Sequence, residues 1–139
     1  VVVFSKRIIE KTGTAGEART PTTGKGMDVH SSLSHREFPA AVPTPSLSLL
    51  QQLHWDKVGI IRNKTGLTEA ANILAAWQKS LPQPVDRPSY ELNNLILTGR
   101  LVVEAALIRE ESRGAHFHSD FPKTLPEWQR HIIFTKTGG

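Results

Sequence analysis

The 139-residue chain contains no cysteine, which excludes disulfide bridges, thiolate metal sites and cysteine nucleophiles and fits a reducing cytoplasm. Aromatic residues make up only 6% of it, too few to suggest a stacking platform for bases, so Trp55, Trp77 and Trp128 read as core or core-rim residues. No apolar run approaches the roughly 20 residues that a membrane-spanning helix needs. The apolar start at residues 1–4 is too short for a signal peptide and has no basic leader. A soluble, cytoplasmic protein with no membrane partner is expected. Neither a Walker loop nor a Gly-x-Gly-x-x-Gly turn after a strand is present, and Gly24-Lys25-Gly26 is too short a substitute, so no nucleotide site can be placed. No internal period suggests a solenoid.

Charge of neither sign dominates locally. The 17 Lys and Arg outnumber the 13 Asp and Glu for a net +4, but the cations are spread along the chain, which predicts a solvated surface and no nucleic-acid partner.

What is present is helical periodicity. Val1, Phe4 and Ile8 lie at 1, 4, 8 spacing, which predicts the end of a helix over residues 1–11, as though a helix of a longer polypeptide had been entered part-way. Residues 12–45 are rich in Gly, Pro, Ser and Thr with few large apolar groups, and read as a flexible linker. Residues 46–139 read as one helical domain. Leu47, Leu50, His54, Val58 and Ile61 recur at steps of three and four, with Ser46 or Ser48 as N-cap. After a turn at residues 63–66, Leu67, Ala70, Ala71, Leu74, Trp77 and Leu81 mark a second helix ending near Ser80.

Pro82, Pro84 and Pro88 stop that helix. A third, from about Ser89 to Glu111, carries two stripes: Leu92, Leu95, Ile96, Gly99, Val102, Val103 and Ala106 on one side, Leu97, Leu101 and Ile108 on the other. At 1.5 Å rise it is about 33 Å long, enough for the spine of an all-α, three-helix antiparallel bundle of spectrin-repeat type. Gly99, Ala105 and Ala106 would let a neighbour approach closely. Gly114 is expected to end the helix, followed by an irregular tail and a short helix over residues 126–134.

Functional groups concentrate between Arg109 and Pro122. His116, His118 and Asp120 alternate, so on an extended segment they could offer two imidazoles and a carboxylate to zinc or iron. The plainer reading is that they bond the helix end and neighbouring backbone. Ser112, His116 and Asp120 invite a hydrolytic triad, but no Gly-x-Ser-x-Gly elbow accompanies them. Arg109 and Arg113 lie four apart, placed to complement the negative end of a helix or to pair with Glu110 and Glu111. No catalytic, cofactor-binding or metal-ligating residue is assigned. Arg109, Ser112, Arg113, His116 and Asp120 stand as candidates for fixing a turn or contacting another domain.

Two segments in order carry a resemblance: Leu53-His54-Trp55-Asp56-Lys57-Val58-Gly59-Ile60-Ile61-Arg62-Asn63 leading to Gly66-Leu67, and Glu111-Ser112-Arg113-Gly114-Ala115-His116-Phe117 leading to Asp120-Phe121-Pro122. From about Leu47 to Ile132 the chain resembles the C-terminal helical domain of the succinate dehydrogenase and fumarate reductase flavoprotein family. The Val-Gly-Ile-Ile-Arg-Asn segment and the tail at Trp128-x-x-His131 are most similar to the L-aspartate oxidase branch. Enzymes of that branch use FAD to oxidise L-aspartate to iminoaspartate, with oxygen or fumarate as acceptor, at the first step of NAD biosynthesis. His118 departs from the pattern, because many relatives carry arginine there.

The resemblance implies that residues 1–10 follow the last FAD-contacting segment and that the flavin loop, substrate-binding residues and capping domain lie upstream. This chain would then be inactive alone and would pack beside the FAD domain, with the Ser-Arg-Gly-Ala-His turn near the contact and Arg113 and His116 fixing that turn. The alternatives are a flavoprotein subunit of succinate dehydrogenase or fumarate reductase, which needs an iron-sulfur partner, and a non-enzymatic helical interaction module.

Overall fold

The computed structural model describes residues 4–10 and 42–136. They fall into two compact units, one of residues 42–124 and one that joins residues 4–10 to residues 125–136. The stretch 46–139 therefore divides at Leu125. Of the linker expected over residues 12–45, residues 12–41 lie outside the described part, as do residues 1–3 and residue 11 of the first helix.

The larger unit holds three helices and a short strand pair. Helix α1, Leu47–Leu53, starts at Ser46, whose Oγ accepts the Leu49 amide at 3.3 Å. It passes directly into a π-helical turn, His54–Val58. Gly59 leaves that turn where a Cβ would stand 2.7 Å from the Trp55 carbonyl oxygen, so no side chain fits there without a shift. The first helix thus ends before Ile61, which instead starts strand β2, Ile61–Arg62.

Helix α2, Lys64–Ser80, is capped by Asn63, whose Oδ1 accepts the Gly66 amide at 2.7 Å. Its stripe of Leu67, Ala70, Ala71, Leu74 and Trp77 is fully buried. The Trp77 indole donates to the Pro43 carbonyl at 2.7 Å, which supplies the one polar partner that a buried tryptophan needs.

Helix α3, Arg87–Ile108, opens with a reciprocal capping box between Asp86 and Ser89 and with Pro88 in its first turn, where the missing amide costs nothing. Its buried line is Ile96, Gly99, Val103 and Ala106. Leu95 and Val102, expected in the same stripe, sit to one side and are exposed. α2 and α3 pack against one another, and Leu50, Val58, Leu67, Leu74, Ile96 and Val103 meet in one core.

α3 stops at Ile108 with Arg109 extended at its C-cap, so Gly114 does not terminate it. Gly114 has φ +57° and is used in a later turn. Strand β3, Phe117–His118, runs parallel to β2 with Ile61 opposite Phe117 and Arg62 opposite His118, a pairing that the expected irregular tail did not include.

In the second unit, strand β1, Phe4–Glu10, pairs antiparallel with β4, Arg130–Lys136, from Phe4 opposite Lys136 to Glu10 opposite Arg130. Residues 4–10 are therefore not the end of a helix. A stretch this short makes a marginal helix, whereas a partner strand answers its backbone groups. The helix expected over residues 126–134 is limited for the same reason to one 3₁₀ turn, Pro126–Trp128. The Arg130 guanidinium lies over the Trp128 ring, 4.9 Å from its centroid. No helix among the described residues is long and apolar enough to cross a membrane.

Candidate functional site

The loop of residues 109–124 turns back from the end of α3 and is organised around two buried residues. Glu111 is 0% exposed. Its Oε1 accepts Arg109 Nη1 and Arg113 Nε, each at 2.7 Å, and its Oε2 accepts Arg113 Nη2 at 3.1 Å. An unpaired carboxylate could not be buried cheaply, and charge-assisted bonds from two guanidiniums offset the desolvation. The bond to Glu111 in turn raises the Arg113 pKa above its ordinary value. Glu111, rather than the exposed Glu110, is thus the partner of both arginines.

Ser112, also buried, ties the loop to itself. Its hydroxyl donates to the Phe121 carbonyl at 2.8 Å and accepts the His118 amide at 2.9 Å. Its amide donates to the Lys123 carbonyl at 3.1 Å, and its carbonyl accepts the Thr124 hydroxyl at 2.6 Å. The hydroxyl proton is committed to backbone and no imidazole stands ready to take it.

Arg113 and His116 exchange both backbone bonds, at 2.8 and 3.0 Å. Gly114, with φ +57°, occupies the first central position of this two-residue turn, and no other described residue has positive φ. That is the type II′ arrangement, which requires glycine at this point. The turn presents the His116 ring to Arg62 of β2, with Nδ1 and Nη1 2.8 Å apart. His116 Nε2 reaches the Arg109 carbonyl at 3.4 Å. Burial above all lowers the His116 pKa from its ordinary value; the Arg109 carbonyl, second in size, opposes it, and the neighbouring Arg62, His118 and Arg109 add to the lowering. Burial also pulls the Arg62 pKa down. Arg62 Nε donates to the Val58 carbonyl at 3.1 Å.

His118 is 1% exposed and its Nδ1 has no hydrogen-bond partner. The ring packs against Phe121 at 5.0 Å and His116 at 6.0 Å between centroids, and Asp120 Oδ2 lies 3.8 Å from Nδ1. Asp120 is engaged elsewhere, because Oδ2 accepts the Lys64 amide at the start of α2 at 2.7 Å. His116, His118 and Asp120 therefore do not converge on an ion, and no group of three such residues among the described ones is placed to hold a metal. Nor do Ser112, His116 and Asp120 form a relay, since each is bonded to something else. The arrangement fixes the position of a loop.

Two participants were not singled out from the sequence. Arg62 bridges to the loop, and its signal was its place at the end of the Val-Gly-Ile-Ile segment. His54 in the π turn donates from Nδ1 to the Leu50 carbonyl at 2.9 Å and lays its ring on Gly99. Beside the loop, Trp55, Ile60, Ile61 and Phe117 are exposed, the first three at 83, 84 and 70%. Ile61 and Phe117 are strand partners, and Trp55 and Ile60 lie in the segment that leads into β2, so the four make an exposed apolar rim around the β2–β3 pair.

Comparison with known proteins gives the context. The family described as the fumarate reductase flavoprotein C-terminal region matches residues 48–139. A CoM/CoB fumarate reductase chain of Methanothermobacter marburgensis is 36% identical over 98 residues, covering 63% of this chain and 18% of that protein. The L-aspartate oxidase of Bacillus subtilis is 38% identical over 96 residues, covering 64% of this chain and 17% of the oxidase. Among solved structures, Mycobacterium smegmatis Sdh1 in complex with UQ1 matches with a TM-score of 0.55 and 30% identity, over 66% of this chain and 17% of that one. The chain thus spans less than a fifth of the length of each.

Proposed function

The chain belongs to the C-terminal domain family of the fumarate reductase and succinate dehydrogenase flavoproteins, and from that premise we propose that it is the C-terminal domain of a cytoplasmic L-aspartate oxidase. In this reading it is a three-helix bundle that buttresses an FAD-binding domain of the same polypeptide and makes no contact with L-aspartate. The full-length enzyme would oxidise L-aspartate to iminoaspartate, with oxygen or fumarate as acceptor, at the start of NAD biosynthesis.

The observation that carries the supporting role is the exposed rim of Trp55, Ile60, Ile61 and Phe117, since adjacent large apolar groups left in water mark a surface that docks. The polar loop beside it spends its functional groups on one another and on groups of this chain. Among the described residues no glycine-rich cradle for the FAD pyrophosphate is formed. Gly59, Gly66 and Gly99 each abut atoms of this chain and Gly114 serves a turn, so none belongs to a glycine-rich cradle for a pyrophosphate. No step of the oxidation is therefore assigned here.

The aspartate branch is favoured by the Val58-Gly59-Ile60-Ile61-Arg62-Asn63 segment and by Trp128-x-x-His131. The second reading, a fumarate reductase or succinate dehydrogenase flavoprotein, is favoured by the similarity to the M. marburgensis reductase. Purification of the full-length polypeptide separates them. Flavin absorbance with L-aspartate-dependent peroxide formation is expected. Copurification of an iron-sulfur protein, with succinate oxidation and no response to L-aspartate, would establish the second reading instead.

A further inference from the structure

We propose that His116 is a proton-operated latch on the 109–124 loop: uncharged, its ring ties β2 to the end of α3 and holds the Arg113–His116 turn shut, and a proton on Nδ1 releases it. The inference is independent of which enzyme the domain serves.

The state of the ring follows from its partners. A guanidinium can only donate, so His116 Nδ1, 2.8 Å from Arg62 Nη1, must be the acceptor. The ring hydrogen then resides on Nε2, which faces the Arg109 carbonyl at 3.4 Å. One neutral imidazole in one tautomer thus spans residues that are far apart in sequence. An imidazolium carries hydrogens on both nitrogens, and the 2.8 Å contact would become donor against donor and cation against cation.

The charged surroundings oppose that proton from each side. Arg62 lies on β2 and Arg109 at the end of α3. Arg113 shares both backbone bonds of the turn with His116. Glu111 is the counter-charge in the loop, and it is already bonded to Arg109 and Arg113. From β3 the His118 ring approaches to 6.0 Å, with Asp120 Oδ2 3.8 Å from its far Nδ1 and bound to the Lys64 amide. Burial, with Arg62 and Arg109, outweighs the Arg109 carbonyl and lowers the His116 pKa, so the ring is uncharged and the latch closed in neutral solution, and acidification opens it. Opening it loosens the register of Ile61 against Phe117, two members of the exposed rim.

The test is amide exchange in the 139-residue chain, corrected for intrinsic rates and compared at pH of about 7.5 and about 5. Exchange of the Arg113 and His116 amides should rise roughly tenfold at the lower pH while far-ultraviolet circular dichroism shows the helices intact. His116→Gln, whose amide can accept from Arg62 and donate to the Arg109 carbonyl without titrating, should abolish the rise. Ring titrations by NMR serve as the second measurement, and the exchange midpoint should coincide with His116 rather than with His54 or His118. The proposal is overturned by a rise that persists in His116→Gln, by a midpoint that follows another histidine, by loss of helix together with the turn, or by no pH response.

Discussion

The imidazole of His54 occupies the space that a side chain at residue 99 would need. A Cβ on Gly99 would stand 2.6 Å from both Cε1 and Nε2 of the ring. The ring is not free to swing away, because Nδ1 is bonded to the Leu50 carbonyl at 2.9 Å. Gly99→Ala should gain about 1 kcal/mol of helix propensity in α3 and lose about 1–3 kcal/mol to overpacking. A net loss of about 1 kcal/mol in urea unfolding is expected, and His54→Ala combined with Gly99→Ala should recover part of it. A Gly99→Ala protein more stable than the wild type would contradict the contact.

Removing the buried carboxylate should be costly. Glu111→Ala leaves the partly exposed Arg109 and Arg113 without the carboxylate they share, and a loss of about 1–3 kcal/mol is expected for charge-assisted bonds broken where water can replace part of them. Equilibrium unfolding measures it directly. A loss under about 1 kcal/mol, the range of surface pairs, would mean that water screens the clamp.

Asp120 should act on α2, although it lies at the far end of the loop. With its Oδ2 gone in Asp120→Ala, the Lys64 amide loses its acceptor, at a cost of about 1 kcal/mol by analogy with N-caps. The signature is local: amide exchange at Lys64 should accelerate more than exchange in α3. Uniform acceleration along both helices would argue for a general loss of packing.

Trp55 should be silent in this chain and informative in a longer one. Being 83% exposed, it should tolerate Trp55→Ser with a change of no more than about 0.5 kcal/mol in the chain's own stability. In the full-length polypeptide the same substitution should weaken flavin retention if the rim docks as proposed. Destabilisation of the isolated chain by more than about 1 kcal/mol would place Trp55 in the core instead.

The second and third helices were legible because their signals are local. The step of three and four from Leu67 to Trp77 and the prolines after Ser80 each act within a turn or two of chain. The π turn was not legible: Leu50, His54 and Val58 fit an ordinary helical face equally well, and the wider turn over His54–Val58 leaves no periodic signal of its own. Strand β1 was missed because its pairing partner lies over 100 residues away, and periodicity in a short window cannot sense it. In the loop the sequence drew attention to Arg109, Ser112, Arg113, His116 and Asp120, and the structure places them all between the end of α3 and the start of α2. It offered metal and triad geometries because residue types alone do not reveal that the Ser112 hydroxyl, the His116 ring and the Asp120 carboxylate are each bonded elsewhere.

The bond from Asp120 to the Lys64 amide joins groups 56 residues apart, and this bears on the order in which the molecule assembles. Asn63 answers the Gly66 amide from the adjacent position, so α2 can begin to form with local partners alone. The Lys64 amide must wait until α3 has been laid down and the chain has returned to β2, because closing so long a loop is entropically unfavourable before the helices pack. The loop carrying Glu111, Ser112 and His116 is therefore expected to settle late in folding. Substitutions there should speed unfolding far more than they slow folding.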